Sequence, residues 1–407
     1  MRAIKKEQLD FLSWEMGAFF HFGIRTFYEG HKDWDGKEMP ASGFNPTELN
    51  CEQWILNIKK AGMKYAILVC KHHDGFANWP SKYTEYSVKN SPWKNGKGDV
   101  VQEFTDACRK HDIKVGLYYS PAQAGYESSD TKDYDDYFIH QISELLSNYG
   151  KIDYLWFDGC GSEGHEYDTN RIVKAIRALQ PHILIFNMWD PDTRWAGNEA
   201  GFVPLPNNNT VSALDFSVRT NEADEIENRF LPGECDCMIR DIWFYSDQNE
   251  DKLKSLDQLM GMYYCSVGYG ANLLLNIAPD RRGILPESDV NRLLEFGEQV
   301  KKLYENPIEM TFDKQENTYI AKLDAPVLVN QIILSENLEE SNKIEEFSIY
   351  VRTFPQGRQP ILMYKGNTIG HKRICRFPTI STKEIEIVID KESAPHKFEN
   401  IQVFYVK

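Results

Sequence analysis

No stretch of this sequence approaches the roughly 18 consecutive apolar residues of a bilayer-spanning helix. The first residues, MRAIKKEQLDFLSWEMG, hold basic side chains but neither an apolar segment nor a small-residue cleavage site. They do not read as a secretory leader, and the expected location is cytoplasmic. Positive charge is in deficit: 46 Lys and Arg face 61 Asp and Glu, a formal net charge of −15. Chains that track a phosphate backbone or an anionic membrane gather Lys and Arg, so neither nucleic acid nor membrane is an expected partner. Cysteine is sparse and scattered. The eight residues Cys51, Cys70, Cys108, Cys160, Cys235, Cys237, Cys265 and Cys375 show no regular pairing, and several fall in runs that read as core. They are expected as free thiols in a reducing compartment. Cys235 and Cys237 form a lone CxC with no second pair at ligand spacing, which argues against zinc. A Gly-rich phosphate loop after an early strand is also missing, which counts against a nucleotide-binding fold.

What is present is ordinary in bulk. The 407 residues are 42% hydrophobic and 26% charged, as in globular chains able to bury a large core. Aromatics make up 13%. Core packing accounts for that, and so does a sugar-binding cleft, where the apolar face of a pyranose rests on flat rings.

Apolar runs and helical patterns alternate up to about residue 305. The runs GAFFHFG (17–23), YAILVC (65–70), KVGLYYS (114–120), IDYLWFDG (152–159), ILIFN (183–187) and ANLLLNIAPD (271–280) read as strands. Helical spacing appears at 51–62, 99–112, 134–150, 169–181, 253–270 and 286–305. Near-continuous apolar strands alternating with helices mean a parallel sheet covered on both faces. Repeated over roughly 300 residues, the pattern fits a (β/α)8 barrel better than an open sheet. The segment 188–245 is irregular and reads as long loops over the barrel mouth with one or two weakly marked strands. After residue 308 the period changes to two. YIAKL, QIILS, EFSIYV, ILMYKG, EIEIVID and IQVFYVK read as short antiparallel strands. The expected fold is therefore α/β: a (β/α)8-type barrel over 1–307, followed by an antiparallel β-sandwich over 308–407.

Barrel enzymes place their chemistry at the C-terminal ends of the strands. Here those ends carry His21, the group Lys71-His72-His73-Asp74, Tyr118-Tyr119-Ser120, Trp156-Phe157-Asp158, and Asn187. A single His there is more often structural than catalytic, and Asp158 alone reads equally well as a helix cap. Five strands aiming polar or aromatic groups at one mouth is harder to assign to packing. Three His and an Asp suit a metal, but no HExxH or facial triad is present. The same groups suit the hydroxyls of a sugar. Glycoside hydrolysis needs two carboxyls. With Asp158 as one, the second comes from another loop, Glu199 in RWAGNEAG or Glu234 in PGECDCMIRDIWFY. A binding protein on an inactive barrel and a metal-dependent hydrolase are the rival classes.

These runs together resemble glycoside hydrolase family 29, the retaining α-L-fucosidases. The resemblance rests on GAFFHFG, YAILVCKHHDGFANWPS, GDVVQEFTDACRKHDIKVGLYYS, YLWFDG, RWAGNEAG and ANLLLNIAPDRRGILPE. RWAGNEAG followed by PGECDCMIRDIWFY is similar to the subgroup acting on α-1,3/1,4-linked fucose in branched, Lewis-type glycans. Carried over by motif, the resemblance implies Asp158 as nucleophile and Glu199 as acid/base. It implies His21, His72, His73 and Tyr118 on the fucose hydroxyls, with Trp34 and Trp156 lining the pocket. Arg194 would contact the sugar or orient a carboxylate. Glu234 and Asp236 would hold the branch galactose. No cofactor or metal is implied, and the partner is a fucosylated oligosaccharide. Phe76 or Trp79 is expected over the sugar's C5 methyl, packing under the loop being the other reading of Trp79. A broad-specificity fucosidase or another retaining exo-glycosidase, such as an α-galactosidase, is the alternative.

Overall fold

The computed structural model describes residues 3–30, 37, 39–123, 131–160, 165–214, 224–353 and 359–407. Helix α1 (Lys6–Trp14) leads into strand β1 (Met16–Phe20). Then follow α2 (Cys51–Lys60), β2 (Tyr65–Lys71), α3 (Val100–Lys110), β3 (Lys114–Tyr119), α4 (Thr131–Asn148), β4 (Tyr154–Phe157), α5 (Thr169–Leu179) and β5 (Leu184–Ile185). Polar caps set several starts. Asn50, Asp99 and Asp168 each accept a backbone N–H from the first turn of α2, α3 and α5.

No helix separates β5 from β6 (Arg194–Trp195). Pro191 and the positive φ angles of Asn187 and Trp189 make a tight turn instead. Buried Asp192 pins that turn, accepting Lys5 Nζ at 2.5 Å, Arg177 Nη2 at 2.6 Å and the Ile185 N–H at 3.0 Å. Next comes an antiparallel hairpin of β7 (Thr210–Leu214) and β8 (Asp224–Phe230). The chain returns through β9 (Gly233–Met238), α6 (Leu256–Cys265), β10 (Asn272–Asn276) and α7 (Glu287–Lys302). The stretch read as irregular thus holds four strands. The helix expected over 253–270 is shorter, because a 3-10 turn at Val267–Tyr269 ends it.

Eight strands form one curled sheet in the order β5-β4-β3-β2-β1-β10-β9-β6, all parallel. A parallel bridge between Phe186 and Thr193 joins its two ends. The expected barrel is therefore present, with the crossover helix after β5 replaced by a turn.

Period-two alternation sorts the strand side chains into two layers. Phe19, Tyr65, Ile67, Val69, Tyr118, Tyr154, Trp156 and Leu274 point inward and pack together. Their neighbours Ala18, Phe20, Leu68, Cys70, Leu117, Tyr119, Leu155, Phe157, Leu273 and Leu275 face the helices. No described cysteine is in a disulfide, and six of the eight are buried.

The remaining strands are β11 (Asp313–Gln315), β12 (Thr318–Glu336), β13 (Ile344–Arg352), β14 (Ile361–Gly366), β15 (Arg373–Glu392) and β16 (Phe398–Phe404). They form one antiparallel sheet around its own core of residues such as Val329, Phe347, Ile385 and Val403. YIAKL and QIILS are not two strands but parts of β12, which is interrupted by bulges against β15. This module docks on the barrel. Ile333, Ile374 and Phe404 join the barrel's outer core, and Lys372 pairs with Glu15 at 2.5 Å.

One close approach fixes the packing of α7 on α2. A Cβ on Gly297 would lie 2.5 Å from Ala61 Cα and 2.6 Å from Ala61 O. Gly297→Ala is therefore expected to lower the urea unfolding midpoint by the equivalent of about 1–3 kcal/mol, the usual cost of overpacking. The pocket lies inside the barrel and is expected to keep its activity. An unchanged midpoint would show that the helices separate freely.

Candidate active site

The inward layer turns polar at its upper end. Continuing the alternation past each apolar strand places His21 after β1, Asp158 after β4 and Asn276 at the end of β10 inside the barrel mouth. β2 breaks the alternation. A register shift between Val69 and Lys71 against β3 leaves Cys70 and Lys71 both facing outward. Lys71 Nζ sits 4.4 Å over the Tyr119 ring, and burial lowers its pKa to about 7. The chain then turns His72 and His73 into the mouth. Asp74, next along, is buried against Arg25 (Nε to Oδ2, 3.0 Å) and accepts the Phe76 N–H at 2.8 Å. The KHHD tip thus divides into two pocket residues and two that anchor them.

The mouth is a cavity of about 470 Å³. Phe19, His21, His72, His73, Tyr118, Trp156, Asp158, Phe186, Asn187, Trp195, Glu199, Asp236, Met238, Asp241, Ile242 and Trp243 are among its lining residues. Asp158 is met on both oxygens. Tyr118 donates its hydroxyl to Oδ2 at 2.8 Å, and His73 Nε2 lies 3.5 Å from the same atom. The Cys160 N–H reaches Oδ1 at 2.9 Å. These contacts give both oxygens of the half-buried carboxyl a neighbour.

Burial holds the three pocket histidines toward the neutral form. Burial lowers His21 to about 3, the Asn276 hydrogen bond opposing it and the nearby His73 adding to it. Burial also dominates at His72 and His73 and lowers both. Asn276 decides the His21 tautomer. Its Nδ2 donates to the Trp243 carbonyl at 2.8 Å, so its Oδ1 faces His21 Nδ1 at 2.8 Å and accepts a proton there. Nε2 is left as an acceptor. His72 is placed by packing, stacked on Tyr118 at 5.7 Å and edge-on to Phe244 at 5.1 Å. Its buried Nδ1 has no hydrogen-bond partner among the described residues.

The second carboxyl, Glu199, is exposed and comes from a turn, not a strand. It holds a left-handed backbone, φ 59°. For a residue with a side chain this costs on the order of 1–3 kcal/mol and must be imposed by its surroundings. The turn lies tight on β9. A Cβ on Gly197 would come within 2.7 Å of Cys235 Sγ, and Ala200 bridges Cys237. Buried Asp236 lies below, accepting Trp195 Nε1 at 2.8 Å. Its pKa is raised to about 7, by burial first, with the charges of Glu199 and Asp158 adding to it.

Among the residues implied by the resemblance, His21, His72, His73, Tyr118, Trp156, Asp158, Glu199 and Asp236 meet in this one cavity. Two do not line it. Glu234 is fully buried one layer below, accepting Tyr65 OH at 2.6 Å, Trp156 Nε1 at 2.9 Å and Tyr154 OH at 3.2 Å. Two residues before Asp236 on the same strand, it faces the same way but deeper. Arg194 donates to Asn207 Oδ1 at 2.5 Å and to the Asn208 carbonyl, holding the loop after β6. Trp34 lies outside the described residues. Phe76 and Trp79 are also away from the cavity. Phe76 packs on Phe44, and Trp79 donates Nε1 to Glu144 at 2.9 Å, so packing under the loop is the reading that holds. The sequence reading missed Asn276, although it ends the apolar run LLLN just as Asp158 ends LWF. Trp195, Met238 and Trp243 gave no comparable signal, since their segment shows no period.

Comparison with known proteins follows the same lines. The family described as Alpha-L-fucosidase matches residues 4–305. Alpha-L-fucosidase 1 of Arabidopsis thaliana is 33% identical, over 93% of this chain and 83% of its own length. The crystal structure of a glycoside hydrolase 29 family member from an unknown rumen bacterium superimposes with a TM-score of 0.91 at 31% identity. It covers 100% of this chain and 77% of its own. The structure of SpGH29 also gives a TM-score of 0.91, at 30% identity, over 100% of this chain and 98% of its own.

Glu234 yields a prediction for stability. Burial raises its pKa from 4.5 to about 7, against the opposing hydrogen bonds of Tyr65, Trp156 and Tyr154. The folded state therefore binds this proton more tightly than the unfolded state. That contribution is complete below about pH 4.5 and is lost as pH rises through 7. Glu234→Gln is expected to flatten the fall in unfolding midpoint between pH 5 and 8, a difference on the order of 3 kcal/mol at the upper end. Parallel midpoint-versus-pH curves for the two proteins would refute the assignment.

Proposed function

The chain belongs to the α-L-fucosidase family of glycoside hydrolases, and from that premise we propose a retaining exo-α-L-fucosidase that removes α-1,3/1,4-linked fucose from branched oligosaccharides. The observation that carries the reading is the meeting of Asp158, with its donors, and Glu199 from a different element in one cavity.

In this reading Asp158 Oδ attacks the anomeric carbon as the glycosidic C–O bond breaks. Glu199 protonates the departing oxygen. Loss of the Asp158 charge on ester formation makes Glu199 easier to ionise. It then takes a proton from water, which attacks the same carbon and releases Asp158. Two inversions give net retention, and the reading requires the carboxyls to stand about 5–5.5 Å apart on bound substrate. His21, whose Nε2 is an acceptor, and His72 serve the sugar hydroxyls, with His73 standing beside Asp158. Phe19, Phe186, Met238, Ile242 and Trp243 supply the apolar part of the lining for the C5 methyl. In this reading the branch sugar meets Asp236 and Trp195, which are hydrogen-bonded to each other at the Glu199 side. His72, His73 and Asp158 bring ligand-type atoms within 4.8 Å of one another. We assign them to the sugar and the ester, so a chelator is expected to leave turnover unchanged.

Fucose release from Lewis a trisaccharide and from 2′-fucosyllactose, measured side by side, tests the linkage. Release from the Lewis compound alone is expected. Release mainly from 2′-fucosyllactose would keep the activity and remove the linkage assignment.

The roles of the carboxyls are tested separately. Asp158→Asn is expected to lose on the order of a thousandfold or more in kcat. Glu199→Ala is expected to regain turnover of an activated aryl fucoside with azide, giving α-fucosyl azide, the retained product. A fully active Glu199→Ala protein would transfer the acid/base role elsewhere.

A further inference from the structure

His73 is held from both sides. Nε2 is 3.5 Å from Asp158 Oδ2, and Nδ1 is 2.5 Å from Ser120 Oγ. Ser120 is fully buried, and its N–H donates to the Lys71 carbonyl at 2.9 Å, so the β2–β3 ladder fixes its position. Its single hydroxyl proton has two acceptors within reach, His73 Nδ1 and the Ala122 carbonyl at 3.0 Å.

Each choice dictates the state of the ring. If the hydroxyl turns to Ala122, Ser120 Oγ accepts from His73, and Nδ1 must carry a proton. A neutral ring then aims the Nε2 lone pair at a carboxylate oxygen, which is repulsive. Only an imidazolium relieves that. The charged groups facing His73 are Asp158 and Asp74, which favour the cation, and Arg25 and Lys71, which oppose it, while burial weighs most and disfavours it. If the hydroxyl instead donates to Nδ1, a neutral ring keeps its proton on Nε2, directed at Asp158. The Ala122 carbonyl then retains Lys71 Nζ at 3.5 Å.

We propose that Ser120 is a positioning residue: its hydroxyl, donating to His73 Nδ1, holds the imidazole proton on Nε2 and so presents a second donor beside Tyr118 to the Asp158 carboxylate. The pocket's two histidines with partnered Nδ1 atoms are thereby set in opposite tautomers. His21, held by Asn276, offers an acceptor at Nε2, whereas His73, held by Ser120, offers a donor. The value of this contact for turnover rests on the nucleophile assignment of Asp158. The tautomer itself does not.

The test is the nitrogen spectrum of histidine-labelled protein at pH 7, with His73 assigned by its loss in His73→Gln. The wild-type ring is expected to show a protonated Nε2 and an unprotonated Nδ1. Ser120→Ala is expected to shift it toward the Nδ1-protonated form and to lower kcat/KM roughly 10- to 100-fold. Ser120→Thr, which keeps the hydroxyl, is expected to restore both. If Ser120→Ala does not fold, Ser120→Cys, a weak donor at the same place, is expected to give an intermediate tautomer ratio. A wild-type His73 protonated at Nδ1, or a pattern unchanged in the Ala or Cys protein, would overturn the proposal. Turnover surviving in Asp158→Asn would instead remove the nucleophile reading and leave the tautomer result standing.

Discussion

An ionised carboxylate at the tip of an apolar strand is costly unless donors meet it. Asp158 is met from three places in the chain: Tyr118 of β3 and the backbone after β4 donate to it, and His73 from the tip of β2 stands 3.5 Å away. None of these can move alone. Tyr118 is the last inward residue of its strand, and its register against Trp156 of β4 is fixed by the parallel ladder. His73 is placed by a register shift in β2 and by the anchoring of Asp74 on Arg25. The eight-stranded sheet therefore does more than support the site. Its register decides which atoms reach the carboxylate.

The layer beneath repeats the theme with a different outcome. Glu234 faces the barrel axis with three donors, Tyr65, Tyr154 and Trp156, yet burial is strong enough to raise its pKa to about 7. Asp158 is 28% exposed at the side chain, whereas Glu234 is sealed. Two carboxyls with similar numbers of hydrogen bonds thus take different parts. Trp156 joins the layers, stacked on Phe186 at 4.1 Å, lining the cavity and donating downward to Glu234.

How much of this is legible in the sequence depends on period. Where an apolar strand ends in a polar residue, as in LWFD or AFFH, alternation alone points the residue into the mouth, and Asp158, His21 and Tyr118 are found where that rule puts them. Asn276 obeys it too and was overlooked because an Asn after LLL reads as an ordinary strand end. β6 and β9 defeat the rule. Two residues of β6 carry no period, and GECDCM alternates carboxyls with thiols where apolar residues were expected. Glu234 and Asp236 share a face, so sequence places both in one site. Depth along the strand, which sequence does not report, separates them. Arg194 reads as a ligand by its neighbours but is spent on Asn207 and Asn208. The two-residue β5 and the turn to β6 were likewise hidden, since Asp192 holds them from outside with Lys5 and Arg177.

That missing helix has a consequence at the mouth. A crossover helix after β5 would carry the chain away to the outer layer before β6. The turn instead keeps residues 187–203 at the rim, where Asn187, Trp195 and Glu199 line one wall of the cavity. Rigidity there cannot come from a long ladder, so it comes from close approach. Gly197 and Gly201 take positive φ with β9 or α6 side chains where a Cβ would sit, and Ala200 bridges Cys237. Glu199 is then held left-handed by contacts on either side of it. The strands fix one carboxyl by register, and a glycine-bounded turn fixes the other by exclusion.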